Sequence, residues 1–107
     1  MFDPINFFHL AQQLVKGNEA SVRTSISRAY YASFLTARDK LRLKLKIPEV
    51  HREVVKSLYR KSPVAANSLH RLRRLRNTSD YDTKIKVKTD DGEAALKLAD
   101  NIMGEIR

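Results

Sequence analysis

The sequence predicts an all-α protein, an up-and-down bundle of four to five helices. Apolar residues recur at helical spacing in five segments of the 107-residue chain, and residues that typically begin or end helices separate these segments. Residues 40–47 alternate with a period of two, but no second segment offers a strand for them to pair with. A chain of this length has room for one hydrophobic core, so we expect residues 1–107 to form a single domain.

The first helix is predicted over residues 4–16. Asp3 is a typical N-cap, and Pro4 suits the first helical position because the N–H that it lacks would have no helical partner there. Gly17 is expected to end the helix. The apolar residues between these signals have helical spacing: Phe7, Phe8, Ala11, Leu14 and Val15.

The second helix is predicted to begin near Glu19 and to end near Leu43. A helix that is apolar on two sides packs in the centre of a bundle or against a partner subunit. The alternating residues 40–47 are interpreted as the frayed end of this helix and a loop that stops at Pro48. Its apolar residues lie on two sides: Val22, Ile26, Tyr30, Phe34 and Ala37 on one, and Tyr31, Ala32 and Leu35 on the other.

Three more helices are predicted to complete the bundle. The third is expected over residues 49–61 and the fourth over residues 63–81. A polar connector with a short extended core, residues 82–90, then leads to a last helix that Asp90 or Asp91 caps. The last helix has apolar residues spaced for packing: Ala95, Leu96, Ala99, Ile102, Met103 and Ile106.

Positive charge is concentrated in the middle of the chain. The net charge is +9, and residues 38–76 contain 13 basic residues against three acidic ones. Because Lys and Arg neutralise phosphates, this distribution is typical of a surface that binds a polyanion, here RNA or a nucleotide. The same composition would be found in a solvated helical surface that binds no ligand, if the proteins of the organism are generally rich in basic residues.

Several functional classes lack their characteristic residues. The chain has no cysteine, which excludes disulfides and thiolate metal sites and fits a reducing cytoplasm. No apolar run is long enough to cross a membrane. The three glycines are scattered, so a glycine-rich phosphate loop is absent, and the three histidines lack metal-ligand spacing. We therefore expect a cytoplasmic protein without a metal or a cofactor.

Arg76 stands on the apolar side of the fourth helix. At about 100° per residue it falls in one sector with Leu69 and Leu72, and a buried charge needs a partner. Asp80, four residues later, can pair with it, and Arg28 of the second helix could compete for the same carboxylate. Either these groups and nearby tyrosine hydroxyls form a polar network that fixes helix register, or the cluster is open at one end and holds a phosphate.

Three segments follow one another in a characteristic order. They are SRAYYASFLTARDKL in the second helix, P-x-x-H-x-x-V from Pro48 to Val54, and R-N-x-x-D-Y from Arg76 to Tyr81. Together they resemble the HEPN family of small helical domains, over about residues 8–106. The resemblance implies a four- to five-helix bundle, frequent homodimers, and a minimal nucleotidyltransferase as partner in a two-gene module of the toxin–antitoxin type.

Many HEPN proteins are metal-independent ribonucleases that use an arginine and a histidine. The arginine neutralises the scissile phosphate while the histidine moves the proton of the 2′-hydroxyl. In this chain, counting from Arg76 places Tyr81 in the histidine position. If Tyr81 is instead matched to the tyrosine that follows the histidine in toxins modified by their nucleotidyltransferase partner, the arginine is Arg74 and the histidine position holds Ser79. Neither register supplies a histidine, and a tyrosine is a poor general base at neutral pH. Asp80 could accept a proton, but an aspartate paired with Arg76 is a weak base.

Two other histidines are candidates for the missing base. His51 fits the family pattern at the start of the third helix, where it could equally pack or cap the helix. His70 lies on the outward side of the fourth helix with Arg74, which favours a solvated or RNA-facing role.

The sequence as a whole predicts a homodimeric RNA- or nucleotide-binding protein. Ribonuclease activity is possible, but its site would be degenerate because the catalytic histidine of the motif is missing. The alternative is a non-catalytic helical interaction module whose basic face docks an acidic partner protein. The candidate catalytic residues are Arg76, Asp80 and Tyr81. The candidate phosphate contacts are Arg28, Tyr31, His51, Arg71, Arg73 and Arg74.

Overall fold

A computed structural model describes residues 1–43 and 50–106. In these residues the chain forms five α-helices and no strand, which confirms the predicted all-α bundle. Most of the predicted boundaries lie within two residues of the observed ones. The helices are α1 (Ile5–Leu14), α2 (Glu19–Lys40), α3 (Val50–Lys61), α4 (Pro63–Tyr81) and α5 (Thr89–Ile106).

Helix α2 is the central helix of the bundle and contacts each of the other four. Its predicted apolar character on two sides is confirmed, because Val22, Ile26 and Phe34 are buried on one side and Ala32 on the other. Small residues let the neighbouring helices approach closely. The hydroxyl of Ser25 donates to the carbonyl of Ala11 at 2.7 Å and so joins α2 to α1.

The helix N-termini are capped largely by side chains that accept hydrogen bonds. Oδ1 of Asp3 accepts from the N–H of Ile5 at 3.0 Å, consistent with the predicted cap of α1. Two further caps escaped the sequence analysis: Asn18 accepts from Ser21 at the start of α2, and Ser62 accepts from Ala65 at the start of α4. These caps replace the backbone acceptors that the first turn of a helix lacks.

Helix α2 ends at Lys40, three residues before the predicted end. The N–H of Leu43 donates to the carbonyl of Arg38 at 3.0 Å, and the N–H of Arg42 donates to that of Asp39 at 3.1 Å. Arg42 has a left-handed backbone with φ of 57°. This pattern is a Schellman motif, so the helix closes in an ordered turn instead of fraying. The predicted loop through residue 47 and its stop at Pro48 lie outside the described residues.

The connector between α4 and α5 has irregular backbone and is tied to α2. Arg23 donates from Nη1 to the carbonyl of Ser79 at 2.8 Å and to that of Asp82 at 3.0 Å. Its Nη2 donates to the carbonyl of Ile85. Oε2 of Glu19 accepts from Arg23 and, at 2.8 Å, from the N–H of Val87. Two side chains at the start of α2 therefore hold a segment that the sequence predicted only as a polar linker.

Helix α5 begins one residue earlier than the predicted cap. Asp90 and Asp91 lie in its first turn, and Oδ2 of Asp91 accepts from the N–H of Lys88 at 2.8 Å. Lys88 is the residue that precedes the helix, so the predicted cap position is wrong by two to three residues, although Asp91 still satisfies a backbone donor from inside the helix. Gly92 is buried here, and a Cβ on it would lie 2.6 Å from Cγ2 of Val15. Helix α5 thus packs directly on the end of α1.

Candidate nucleic-acid interface

Arg76 lies where α4 meets α2, and its side chain is only 17% exposed. Nη1 donates to Oδ1 of Asn77 at 2.8 Å, and Nη2 donates to the hydroxyl of Tyr31 at 3.2 Å. Its Cζ lies 5.3 Å from the ring centre of Tyr30, 5.5 Å from that of Tyr31 and 5.9 Å from that of Tyr81. The guanidinium is therefore surrounded by aromatic rings that stabilise its charge.

Asp80 forms an ion pair with Arg76, with 3.2 Å between Oδ2 and Nε. The Nε–H bond does not point at the carboxylate, so Nε has no hydrogen-bond partner among the described residues. The attraction is Coulombic, without the added strength of an aligned hydrogen bond. A carboxylate at this distance also repels a phosphate, so the cluster around Arg76 fits the polar network better than a phosphate site.

Arg28 also lies beside Tyr31, but among the described residues it forms no ion pair with Asp80. Its Cζ is 5.0 Å from the ring centres of both Phe7 and Tyr31, and its Nη2 is 3.4 Å from the Ser27 hydroxyl. Arg28 therefore packs between α1 and α2, instead of competing for Asp80 as the sequence suggested.

The three arginines of α4 that were predicted to contact phosphate face two different grooves. Arg71 and Arg74 line a groove between α4 and α5, whereas Arg73 faces α3. Successive residues of a helix are rotated by about 100°, so positions 71 and 74 share a face and position 73 lies on another. The basic surface of α4 is thus divided by its own helical geometry.

The larger concentration of positive charge lies between α3 and α4. This trough, the α3–α4 groove, has a volume of about 600 Å³. Tyr59 in its wall is 55% exposed. Among the described residues that line it, none is acidic. The lining residues are His51, Arg52, Val55, Lys56, Tyr59 and Arg60 of α3, with His70 and Arg73 of α4.

Of the residues that line this groove, sequence reasoning placed His51 and Arg73 among the phosphate contacts and considered an RNA-facing role for His70, but it missed the basic residues of α3. Arg52, Lys56 and Arg60 recur at four-residue spacing, which sets them on one side of a helix. That spacing was the available signal. Their meeting with His70 and Arg73 depends on how α3 packs against α4, which no local pattern encodes.

His51 connects the groove to the core. Its ring is 7% exposed and stacks on Phe34, with 5.8 Å between ring centres. Nδ1 lies 2.6 Å from the hydroxyl of Tyr30, and Nε2 has no partner among the described residues. Of the two roles considered for this residue in helix structure, packing is the one observed.

Burial dominates the protonation of this pair. Burial, with smaller contributions from electrostatic interactions with Arg73, His70 and Arg76, lowers the pKa of His51 to about 4. Burial also raises the pKa of Tyr30 to about 12. His51 is therefore neutral and Tyr30 protonated at neutral pH, and a histidine with this pKa is a weak general base.

The groove between α4 and α5 has a different character. It has a volume of about 650 Å³ and an apolar floor that includes Leu75, Ile85 and Leu98. Arg71, Arg74 and Lys97 stand on its rim with one carboxylate, from Asp91. Such a combination suits an apolar segment with acidic flanks.

Comparisons of the chain with protein-family models, with curated proteins and with solved structures found no match. Within residues 1–43 and 50–106, none of the helices combines the length and the apolar character that a membrane crossing requires. Among the same residues, no group of three or more His, Asp or Glu side chains is arranged to hold a metal ion. The chemistry of the two grooves therefore carries the functional argument.

Proposed function

We propose that this protein binds single-stranded RNA along the α3–α4 groove. The supporting observation is the composition of the groove, in which four permanent cations, two histidines and an exposed tyrosine line one trough. Cations placed in this way neutralise phosphates, and an accessible aromatic ring offers a surface on which a base stacks.

The spacing of the cations supports a strand that runs along α3. Arg52, Lys56 and Arg60 are four residues apart, just over one helical turn, which is about 6 Å along the axis. Arg73 adds a fourth charge from the opposite wall. Such a surface grips the RNA backbone and has few groups that read base edges, so we expect binding that tolerates changes of sequence.

The resemblance to the HEPN family extends this proposal to a two-gene module. In it, the protein is a homodimer and acts with a minimal nucleotidyltransferase in a toxin–antitoxin-type system. Tyr81, matched to the tyrosine that such partners modify, is 74% exposed, so its hydroxyl is open to a modifying enzyme. Intact mass after incubation with the partner and nucleoside triphosphates tests this: Tyr81→Phe should block a mass gain that Tyr59→Phe leaves unchanged.

Ribonuclease activity is not part of the proposal because no suitable base accompanies Arg76. Asp80 forms an ion pair with Arg76. The buried His51 has a low pKa, and its Nδ1 is hydrogen-bonded to the hydroxyl of Tyr30. RNA incubated with the purified protein in EDTA should stay intact. Cyclic-phosphate ends that vanish with Arg76→Ala would instead establish a ribonuclease.

The binding test is fluorescence anisotropy with a labelled single-stranded RNA at several salt concentrations. With four phosphates neutralised, log K should fall against log salt with a slope of about −3. Replacing Arg52, Lys56 and Arg60 together by Gln should reduce the slope to about −1 and weaken binding strongly.

A matched control removes the same charge elsewhere. Lys16, Lys84 and Lys86 are exposed and lie outside the groove, and their triple Gln variant should retain most of the affinity and the slope. Equal losses in the two triple variants would mean that net charge, and not the groove, attracts the RNA.

The α4–α5 groove supports a second candidate function, docking of an acidic partner protein. Its apolar floor and basic rim would take a segment whose leucine-like side chains alternate with carboxylates. A partner bound here should be released by Leu98→Asp and by Arg74→Glu, whereas the triple variant of α3 should not affect it. Release by the α3 variant alone would place the partner in the other groove.

A further inference from the structure

The two ring nitrogens of His51 have different surroundings. Nδ1 is 2.6 Å from the Tyr30 hydroxyl, but Nε2 is buried without a hydrogen-bond partner among the described residues. A buried polar atom with no partner is costly, and folded proteins contain few of them. His51 lines the α3–α4 groove, so a small displacement of the lining side chains would let a ligand reach this buried atom.

The hydroxyl of Tyr30 selects which nitrogen of the neutral ring carries the proton. A phenol is a better hydrogen-bond donor than an imidazole N–H, and an imidazole nitrogen is a better acceptor than a phenol oxygen. Tyr30 therefore donates to Nδ1, which leaves the proton on Nε2. Because the two nitrogens point to opposite sides of the ring, the Nε2–H bond is directed away from Tyr30.

The ligand for this N–H donor should be an anion. Arg73 and His70 of α4 line the groove with His51, and Arg52 follows His51 on α3. Positive groups from two helices around one donor favour a negatively charged acceptor, and a phosphate offers several oxygens for them to share.

We propose that the Nε2–H of His51 donates a hydrogen bond to a phosphate oxygen that Arg73 binds at the same time. This inference rests on the proposed RNA binding and names the atom that fixes one phosphate in the groove. Tyr30 does not touch the phosphate in this arrangement. It is a positioning residue, which holds the ring in the tautomer that can donate.

The direct test is NMR of protein labelled with ¹⁵N in its histidines. The three histidine signals are followed while inorganic phosphate or a short oligouridylate is added. The spectrum should first show His51 with the proton on Nε2, and RNA should then shift that signal. His9 lies on α1, outside the groove, so its signals serve as an internal reference.

The titration separates the two hypotheses. If RNA binds while the Nε2 signal of His51 stays unchanged, this inference is wrong but the RNA-binding proposal survives. If RNA does not bind, both are wrong. If free phosphate shifts the signal and RNA does not, the site takes a small phosphate, and its assignment to RNA is overturned.

Variants give a second readout. His51→Gln keeps an N–H donor near the position of Nε2 and should retain most of the affinity, whereas His51→Leu should lose about tenfold. Tyr30→Phe should weaken binding several-fold and give a mixture of His51 tautomers in the spectrum. Unchanged affinity in His51→Leu would overturn the inference. If that variant does not fold, the result with Tyr30→Phe and the titration of the natural chain still decide.

Discussion

The guanidinium of Arg76 donates to the hydroxyl of Tyr31 at 3.2 Å, a contact that joins α4 to α2 across the bundle. With Asp80 and Asn77 as further partners, this arginine is already engaged by its own protein. A network of this kind stabilises the fold and has little capacity left for a ligand.

Replacing Arg76 should therefore affect stability more than RNA binding. Arg76→Met keeps much of the packing but removes the polar contacts, and we expect it to lower the free energy of unfolding by about 2 kcal/mol. Urea unfolding measures this, with Arg74→Met as the exposed control on the same helix. The affinity for RNA in the proposed binding should change less than twofold. A large loss of affinity at unchanged stability would instead mean that Arg76 is the residue that binds phosphate.

Acid should destabilise the protein through His51. Its folded pKa of about 4 lies below the usual value of 6.5, so below that value the unfolded chain binds a proton that the folded chain excludes. The neutral His51 ring therefore contributes its full share of stability above pH 6.5. That stability is lost as the pH falls from 6.5 toward the folded pKa of about 4. Between pH 7 and pH 5 the loss is about 2 kcal/mol for this group alone.

The comparison with His51→Gln isolates the effect, because that variant lacks the titrating ring. Unfolding in urea at several pH values should show a shallower acid dependence for the variant than for the natural chain. Parallel curves would mean that folding does not lower the pKa of His51, contrary to the effect expected from its burial.

Arg23 should be among the most important polar residues for stability. Its side chain is 18% exposed and satisfies carbonyl oxygens of Ser79, Asp82 and Ile85. Arg23→Ala leaves these acceptors without their cation, and we expect a loss of about 2–3 kcal/mol in urea unfolding. Lys84→Ala, an exposed change in the connector itself, should cost less than about 0.5 kcal/mol. Similar values for both would show that the connector is not held by Arg23.

Two glycines of α5 should respond oppositely to alanine. A Cβ on Gly92 would meet Cγ2 of the buried Val15 at 2.6 Å, whereas a Cβ on Gly104 would meet nothing within 4 Å. Gly104→Ala should raise stability by about 0.5–1 kcal/mol through helix propensity. Gly92→Ala gains the same propensity but should lose about 1–3 kcal/mol to overpacking, for a net decrease in melting temperature. A stabilising Gly92→Ala would mean that α5 can move away from α1 at little cost.

The sequence was a good guide to the helices and a poor one to the groove. Apolar periodicity predicted that α2 packs in the centre of the bundle or against a partner subunit, and it placed Arg76 on the inner side of α4, because local spacing determines which residues share a face. The pairing of Tyr30 with His51 joins residues 21 positions apart in two helices, and only tertiary packing brings them together. Arg71, Arg73 and Arg74 were predicted together as phosphate contacts but face two grooves. The reason is simpler here, because neighbouring residues of a helix point in different directions.

The attachment of Val87 to Glu19 changes which part of the molecule should open first. An amide in an irregular segment normally exchanges its hydrogen with solvent quickly, because small local fluctuations expose it. Val87 is instead a buried residue, and its N–H is held by Oε2 of Glu19. Glu19 is exposed and can release this bond by turning its side chain, but solvent reaches the buried amide only when the connector separates from the start of α2, so its exchange reports on that larger opening. The link between α4 and α5 is therefore part of the slow-exchanging unit of the protein, and the two helices should not detach from α2 one at a time.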